Sequence, residues 1–118
     1  MTPFDAQARE HPDSRVRLVE VSGELDLTNS HELEARVDEL AEDDGVLVLD
    51  LNRVLFADSA ALHALFRIAR TRGRARFGLV LEPTAAIART LEIAGVSLQV
   101  PTRAHVDELV EEVAAAAS

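Results

Sequence analysis

Apolar positions recur along this chain with the period of a strand in some stretches and of a helix in others. Phe4-Asp5-Ala6-Gln7-Ala8-Arg9 alternates weakly, as an edge strand does, and His11-Pro12-Asp13-Ser14 is a turn cluster. Val16 to Val21 is rich in β-branched residues and predicts a second strand, so the chain opens with a hairpin. Ser22 to Ser30 reads as a loop of short polar side chains with one glycine. Thr28, Asn29 and Ser30 are capping candidates ahead of Leu33, Val37 and Leu40, whose spacing predicts a helix from about Ser30 to Asp43. Asp44-Gly45 closes it, because glycine takes the left-handed position past a helix end.

Val46 to Leu51 is a near-continuous apolar run, the pattern of a buried strand, and a second apolar bump follows at Val54-Leu55-Phe56. At Asp58-Ser59 the spacing turns helical and continues through Leu62, Leu65 and Phe66 to about Arg72, where Gly73 stops it. Arg76 to Leu81 is a further strand. Pro83 suits the first turn of a third helix running through Ile87, Leu91 and Ile93 to Gly95. Val96 to Val100 predicts a short last strand, and Pro101-Thr102 starts a C-terminal helix along Val106, Leu109, Val110 and Val113. The order is ββαβαβαβα: an α/β fold with a mixed, mostly parallel sheet and an N-terminal hairpin at its edge. Residues 1–118 form a single domain, with the alanine-rich end at 114–118 expected to fray.

Composition narrows the function. Apolar residues make up 47% and charged residues 28% of the 118, which is the balance of a globular chain. A formal charge of −9 argues against direct nucleic-acid contact and against an anionic membrane surface, since both require counter-charge. The four Phe are the only aromatics, too few for a base-stacking platform. No apolar run approaches the ~20 residues of a spanning helix, and MTPFDAQARE lacks a signal peptide's apolar segment. Without cysteine there is no disulfide, thiol catalysis or thiolate metal site, and the cytoplasm is the expected compartment. All twelve cations are Arg, with Arg67, Arg70, Arg72, Arg74 and Arg76 close together, while Glu32 to Asp44 is acidic. These segments read either as two solvated helix faces or as an acidic and a basic side suited to a protein partner.

The chemistry centres on Ser59, one hydroxyl at the mouth of a helix that follows a buried strand. Helix N-termini carry partial positive charge and free N–H groups, and a serine there reads first as a cap. Asp58, Ser59 and His63 invite a triad reading. A triad needs its acid on the far side of the imidazole, and the elbow G-x-S-x-G is replaced by Ala57-Asp58-Ser59-Ala60-Ala61. His11, His31, His63 and His105 are isolated, so no metal site is expected, and no glycine-rich phosphate loop occurs. No catalytic signature survives, and no cofactor is called for.

Ser-Gly-Glu-Leu-Asp-Leu-Thr at 22–28, Val46 to Leu51, and Phe56-Ala57-Asp58-Ser59-Ala60-Ala61-Leu62 together resemble the STAS domain, and more narrowly the bacterial anti-sigma factor antagonists. The resemblance implies a non-enzymatic regulator that binds an anti-sigma factor, itself an ATP-dependent serine kinase. That kinase phosphorylates the serine after the Asp, here Ser59, and a serine phosphatase resets the switch. It also implies a partner interface drawn from Glu24, Asp26, Thr28, Asp58, Ser59, Ala60, Ala61 and His63; a weak homodimer is a further partner to expect, with the oligomeric state left open by the sequence. The family's pattern continues after Asp-Ser with Ser or Thr and then Gly, whereas this chain has Ala60 and Ala61. Ser59 is thereby the only acceptor in that turn, and Ala61 adds a methyl where a partner backbone would approach. Two alternatives stand beside this reading. One is a phosphorylation-independent STAS scaffold or transporter-associated subunit; the other is a small-molecule or nucleotide-binding module using Arg67 to Arg76.

Overall fold

The computed structural model describes residues 4–41, 45–73 and 75–117, with the side chains of 114–117 left aside. Asp43, Asp44, Arg74 of the arginine cluster and Ser118, the last residue of the end expected to fray at 114–118, lie outside the described residues. The first helix already stops at Leu40, short of the expected Asp43, because Ala41 is extended at φ −82 and ψ 139. In chain order the elements are β1 (Phe4–Arg9), β2 (Val16–Leu25), α1 (Ser30–Leu40), β3 (Val46–Ala57) and α2 (Ser59–Arg72). They continue with β4 (Phe77–Val80), α3 (Ala88–Ile93), α4 (Val96–Gln99), β5 (Thr102–Arg103) and α5 (Val106–Ala117). The sheet order is β1-β2-β3-β4-β5. β1 pairs antiparallel with β2, and every other neighbouring pair is parallel. This is the mixed sheet with a hairpin edge that the pattern predicts.

Alternation along the strands divides the core between the two faces of the sheet. Leu47, Leu49 and Leu51 of β3 and Phe77 and Leu79 of β4 face α1, α2, α3 and α4. They meet Leu33, Val37, Leu65, Ile68 and Leu91 there. Val48 and Val80 point to the opposite face and pack on Leu109 and Val113 of α5. Gly78 makes this approach close: a Cβ there would stand 2.7 Å from a Leu109 methyl carbon. The rest of that face carries polar residues of the hairpin and β3, where Glu20 pairs with both Arg9 and Arg53.

Several elements differ from the expected boundaries, each for a packing reason. β2 does not stop at Val21. Ser22 to Leu25 remain paired to β3, and Phe4 and Asp5 of β1 cover Gly23 and Ser22 from the other side. β3 is one strand rather than a strand and a separate bump. Its 12 residues lie beside the 10 of β2, so two extra residues are absorbed at irregularities, after Asp50 and after Val54. Asp50 accepts the Asn52 N–H at 2.9 Å beside the first of these. The third helix starts at Ala88 instead of Pro83, because turn bonds from Ala85 to Glu82 and from Ala88 to Ala85 occupy the interval.

Val96 to Val100 is not the last strand. A strand would bury Val96, Leu98 and Val100 together, yet Leu98 is 82% exposed while Val96 and Val100 are buried. That i, i+4 pattern belongs to a helical turn. Gly95, at φ +71, turns the chain into α4 directly after α3. The edge strand is then supplied by Thr102 and Arg103, and the C-terminal helix begins at Val106 rather than at Pro101.

α1 and α2 share the same face of the sheet, and Arg67 of α2 pairs with Glu34 of α1 through Nε and a carboxylate oxygen at 2.5 Å. The acidic and basic segments are therefore neighbours, not opposite sides of the molecule. Arg76 donates to the Gly45 carbonyl at 3.4 Å.

Candidate functional site

β2 and β3 are parallel, and their last residues, Leu25 and Ala57, lie side by side. Each strand then leaves the sheet for a helix, α1 or α2. Two helix N-termini are thus gathered at the carboxyl ends of adjacent strands, where open α/β sheets place their binding surfaces.

Asp58 holds the two exits together. Its N–H donates to the Leu25 carbonyl at 3.2 Å. One carboxylate oxygen accepts the Ala61 N–H at 3.0 Å and caps α2; the other accepts the Leu27 N–H at 3.1 Å, from a loop 31 residues away in sequence. Both oxygens face backbone amides, so Asp58 does not act as the acid of a triad with His63. The cap expected from the Asp58-Ser59 pair comes from the aspartate. Ser59 is the first helical residue, it is exposed, and no hydrogen bond among the described residues uses its hydroxyl.

The loop after β2 is built around Asp26 and Asn29. Asp26 accepts the Thr28 N–H at 2.9 Å and also its hydroxyl proton, while its own N–H donates to Asn29 Oδ1. The Thr28 hydroxyl, followed by the backbone N–H groups of Thr28 and Asn29, holds the Asp26 carboxyl below its ordinary value. Asn29 is at the N-cap of α1 without capping it through its side chain. Its Nδ2 reaches back to the Glu24 carbonyl at 2.8 Å and closes the loop onto the end of β2. Asn29 and Ser30 are both buried, and they set the loop's shape from beneath.

Of the residues nominated from sequence, Glu24, Asp26, Thr28, Asp58, Ser59 and Ala60 are gathered at this end of the sheet, each exposed or half-buried. His63 is exposed one turn beyond Ser59, at the spacing that shares a helix side. Ala61 is fully buried. Its methyl packs into the core, so it presents nothing to a partner and does not hinder a close approach.

Three apolar residues join the site that its motifs do not include. Leu27 is 73% exposed, Leu55 66% and Phe56 49%. The second irregularity of β3 accounts for Leu55 and Phe56: the register passes from Gly23–Val54 to Glu24–Phe56 and leaves Leu55 without an opposite residue. Val54 stays buried, and the two residues after it turn outward. Three consecutive apolar residues in a strand cannot all face one core, and that was the available signal. The result is a surface with an acidic loop, a free hydroxyl and an apolar rim, the composition of a protein interface.

Among the described residues, no cluster of three or more His, Asp or Glu side chains is placed to hold a metal ion. No helix is long and apolar enough to cross a membrane.

No curated protein sequence matches the chain. It is similar in structure to an anti-sigma factor antagonist from Mycobacterium paratuberculosis, with a TM-score of 0.79 and 27% identity over 94% of each chain. It also resembles a sulfate transporter family protein from Wolinella succinogenes, with a TM-score of 0.66 and 18% identity over 88% of each chain. The unphosphorylated form of the anti-sigma factor antagonist SpoIIAA aligns with a TM-score of 0.62 and 18% identity, over 92% of this chain and 96% of that one. The latter two share the fold. The sequence model of the STAS domain matches residues 5–109, spanning β1 to α5 and the whole of the site, and this chain belongs to the STAS domain family.

Proposed function

We propose that this protein is an anti-sigma factor antagonist that binds a serine-kinase anti-sigma factor through the surface around Ser59. Binding releases the sigma factor, phosphorylation of Ser59 by the kinase switches the antagonist off, and a serine phosphatase resets it in the cytoplasm. The observation that carries the proposal is the division of labour at the start of α2. Asp58 does the capping, which leaves the exposed Ser59 hydroxyl available to a kinase. The likeness to the Mycobacterium paratuberculosis antagonist over 94% of each chain supports the general role.

The site's electrostatics fit such a switch. Phosphorylation adds about −1.5 to −2 charge. Toward the fold that charge meets the N-terminus of α2, which favours anions, so the domain does not need to rearrange. Toward a partner it stands beside Asp58 and the Leu27–Phe56 apolar rim, where repulsion and desolvation oppose docking. Losing about 3 kcal/mol of binding lowers affinity roughly a hundredfold, enough for a switch.

The test is incubation with ATP and the anti-sigma kinases of the same cell, followed by intact-mass measurement of wild type and Ser59→Ala. A phosphate-sized gain on wild type alone is the expected result. A kinase that binds and leaves the mass unchanged would sink the switch and leave the phosphorylation-independent scaffold.

A further inference from the structure

A cleft of about 530 Å³ lies between α2 and the Gln99–Pro101 segment that leads into β5. Its volume falls in the roughly 300–1,000 Å³ range of small-molecule sites. Phe66, Phe77, Val100 and Pro101 contribute its apolar wall, and Phe77, Val100 and Pro101 are buried, so that part of the wall is preformed. Ala69, Gly73, Gln99 and the cationic Arg67, Arg70 and His63 complete the lining, and among the described residues no carboxylate does, although the chain has 21 acidic residues against 12 cations. Arg67 is held in place by Glu34. Arg70 has no carboxylate partner among the described residues.

We infer that this cleft binds a small organic monoanion with a compact apolar body, such as an aryl or medium-chain acyl carboxylate or sulfonate, its charge on Arg70. The apolar wall removes the body from water, and Arg70 supplies the counter-charge that the wall lacks. The helix decides between a single charge and a polyphosphate. The lining runs from His63 along α2 to Gly73, so Arg70 sits in the last turn, where the macrodipole is negative and the carbonyls point outward. That field opposes a polyphosphate several-fold more than a single charge, and the N-terminus of α2 that would favour phosphates is at the other end, with Ser59. The cleft adjoins the proposed docking surface at His63, but Arg70 lies about two turns from His63 and about three from Ser59, so the test of this site does not depend on the fate of Ser59.

Anilinonaphthalene sulfonate, an aromatic body with one anionic group, is the probe. Its fluorescence is titrated against the full chain and then competed with octanoate, octanol and octylammonium. Saturable one-to-one binding displaced by octanoate alone is the expected result. Arg70→Gln, an exposed change that leaves the fold intact by circular dichroism, weakens the probe about tenfold, the loss of one charge-assisted hydrogen bond. Ala69→Leu extends into the cleft and abolishes saturation. Equal displacement by octanol would remove the requirement for an anion and overturn the ligand class. A probe indifferent to both substitutions is bound elsewhere, for instance on the Leu27–Phe56 rim, and overturns the site, as does no binding up to about 1 mM probe.

Discussion

Asp58→Ala removes the one carboxylate that ties β2, β3 and α2 together, and its cost can be worked out bond by bond. The Ala61 N–H loses its cap, worth about 1 kcal/mol at a helix N-terminus. The Leu27 N–H loses a charge-assisted bond, but this loop is exposed and water replaces the acceptor, so the net loss is about 0.5–1 kcal/mol. The sum is about 2 kcal/mol, or about 8 °C in melting temperature for a chain of this size. Ser59→Ala behaves oppositely. Its hydroxyl caps nothing, and alanine is the better helix former, so stability stays within about 0.5 kcal/mol of wild type. Urea and thermal denaturation followed by circular dichroism measure both. If Ser59→Ala costs as much as Asp58→Ala, the serine is the cap and its hydroxyl is engaged. The reasoning that leaves it free for a kinase then fails.

Gly78→Ala places a methyl 2.7 Å from a Leu109 side-chain carbon in a filled core, and the overpacking costs about 1–3 kcal/mol in urea denaturation. Adding Leu109→Ala makes room for it, so the double variant loses less than the sum of the two single changes. Thr28→Val deletes the hydroxyl that does most to hold the Asp26 carboxyl down, so its NMR titration moves up toward the ordinary 3.8. A carboxyl lowered in the folded state contributes stability above the unfolded value that is lost as pH falls below it, so the variant's acid limb is flatter than wild type's. Asp13, held at about 2 by the Arg15 guanidinium, contributes to the same limb in both proteins. Leu27→Ser leaves stability within about 0.5 kcal/mol, because the side chain is already in water, and weakens the anti-sigma partner roughly tenfold in calorimetry. Unchanged affinity would remove the apolar rim from the interface.

Local signals carried a large share of this fold. α2 spans Ser59–Arg72 as its spacing requires, with an aspartate before it and Gly73 after it, because helix starts and stops are written within a few neighbouring residues. The leucine-valine run from Val46 named the central strand for a similar reason: only a strand covered on both faces tolerates it. The serine, its helix start and the acidic loop are therefore legible in the sequence.

What only the tertiary structure decided depends on pairing between distant segments. Leu55 and Phe56 look like core beside Val54, and a register irregularity against β2 turns them outward at the Ser59 end of the sheet. Val96 to Val100 has strand composition, but the turn at Gly95 and the burial of two valines four apart make it a helical turn. Asp58 could cap from its position alone, yet its second bond, to Leu27, exists because β2 and β3 end side by side. The Arg70 cleft likewise needs the Gln99–Pro101 segment to lie beside α2. Periodicity and capping are interactions of a residue with its near neighbours, so the chain itself specifies them. Register, exposure and concavity are set by which segments meet, and only the folded chain decides that.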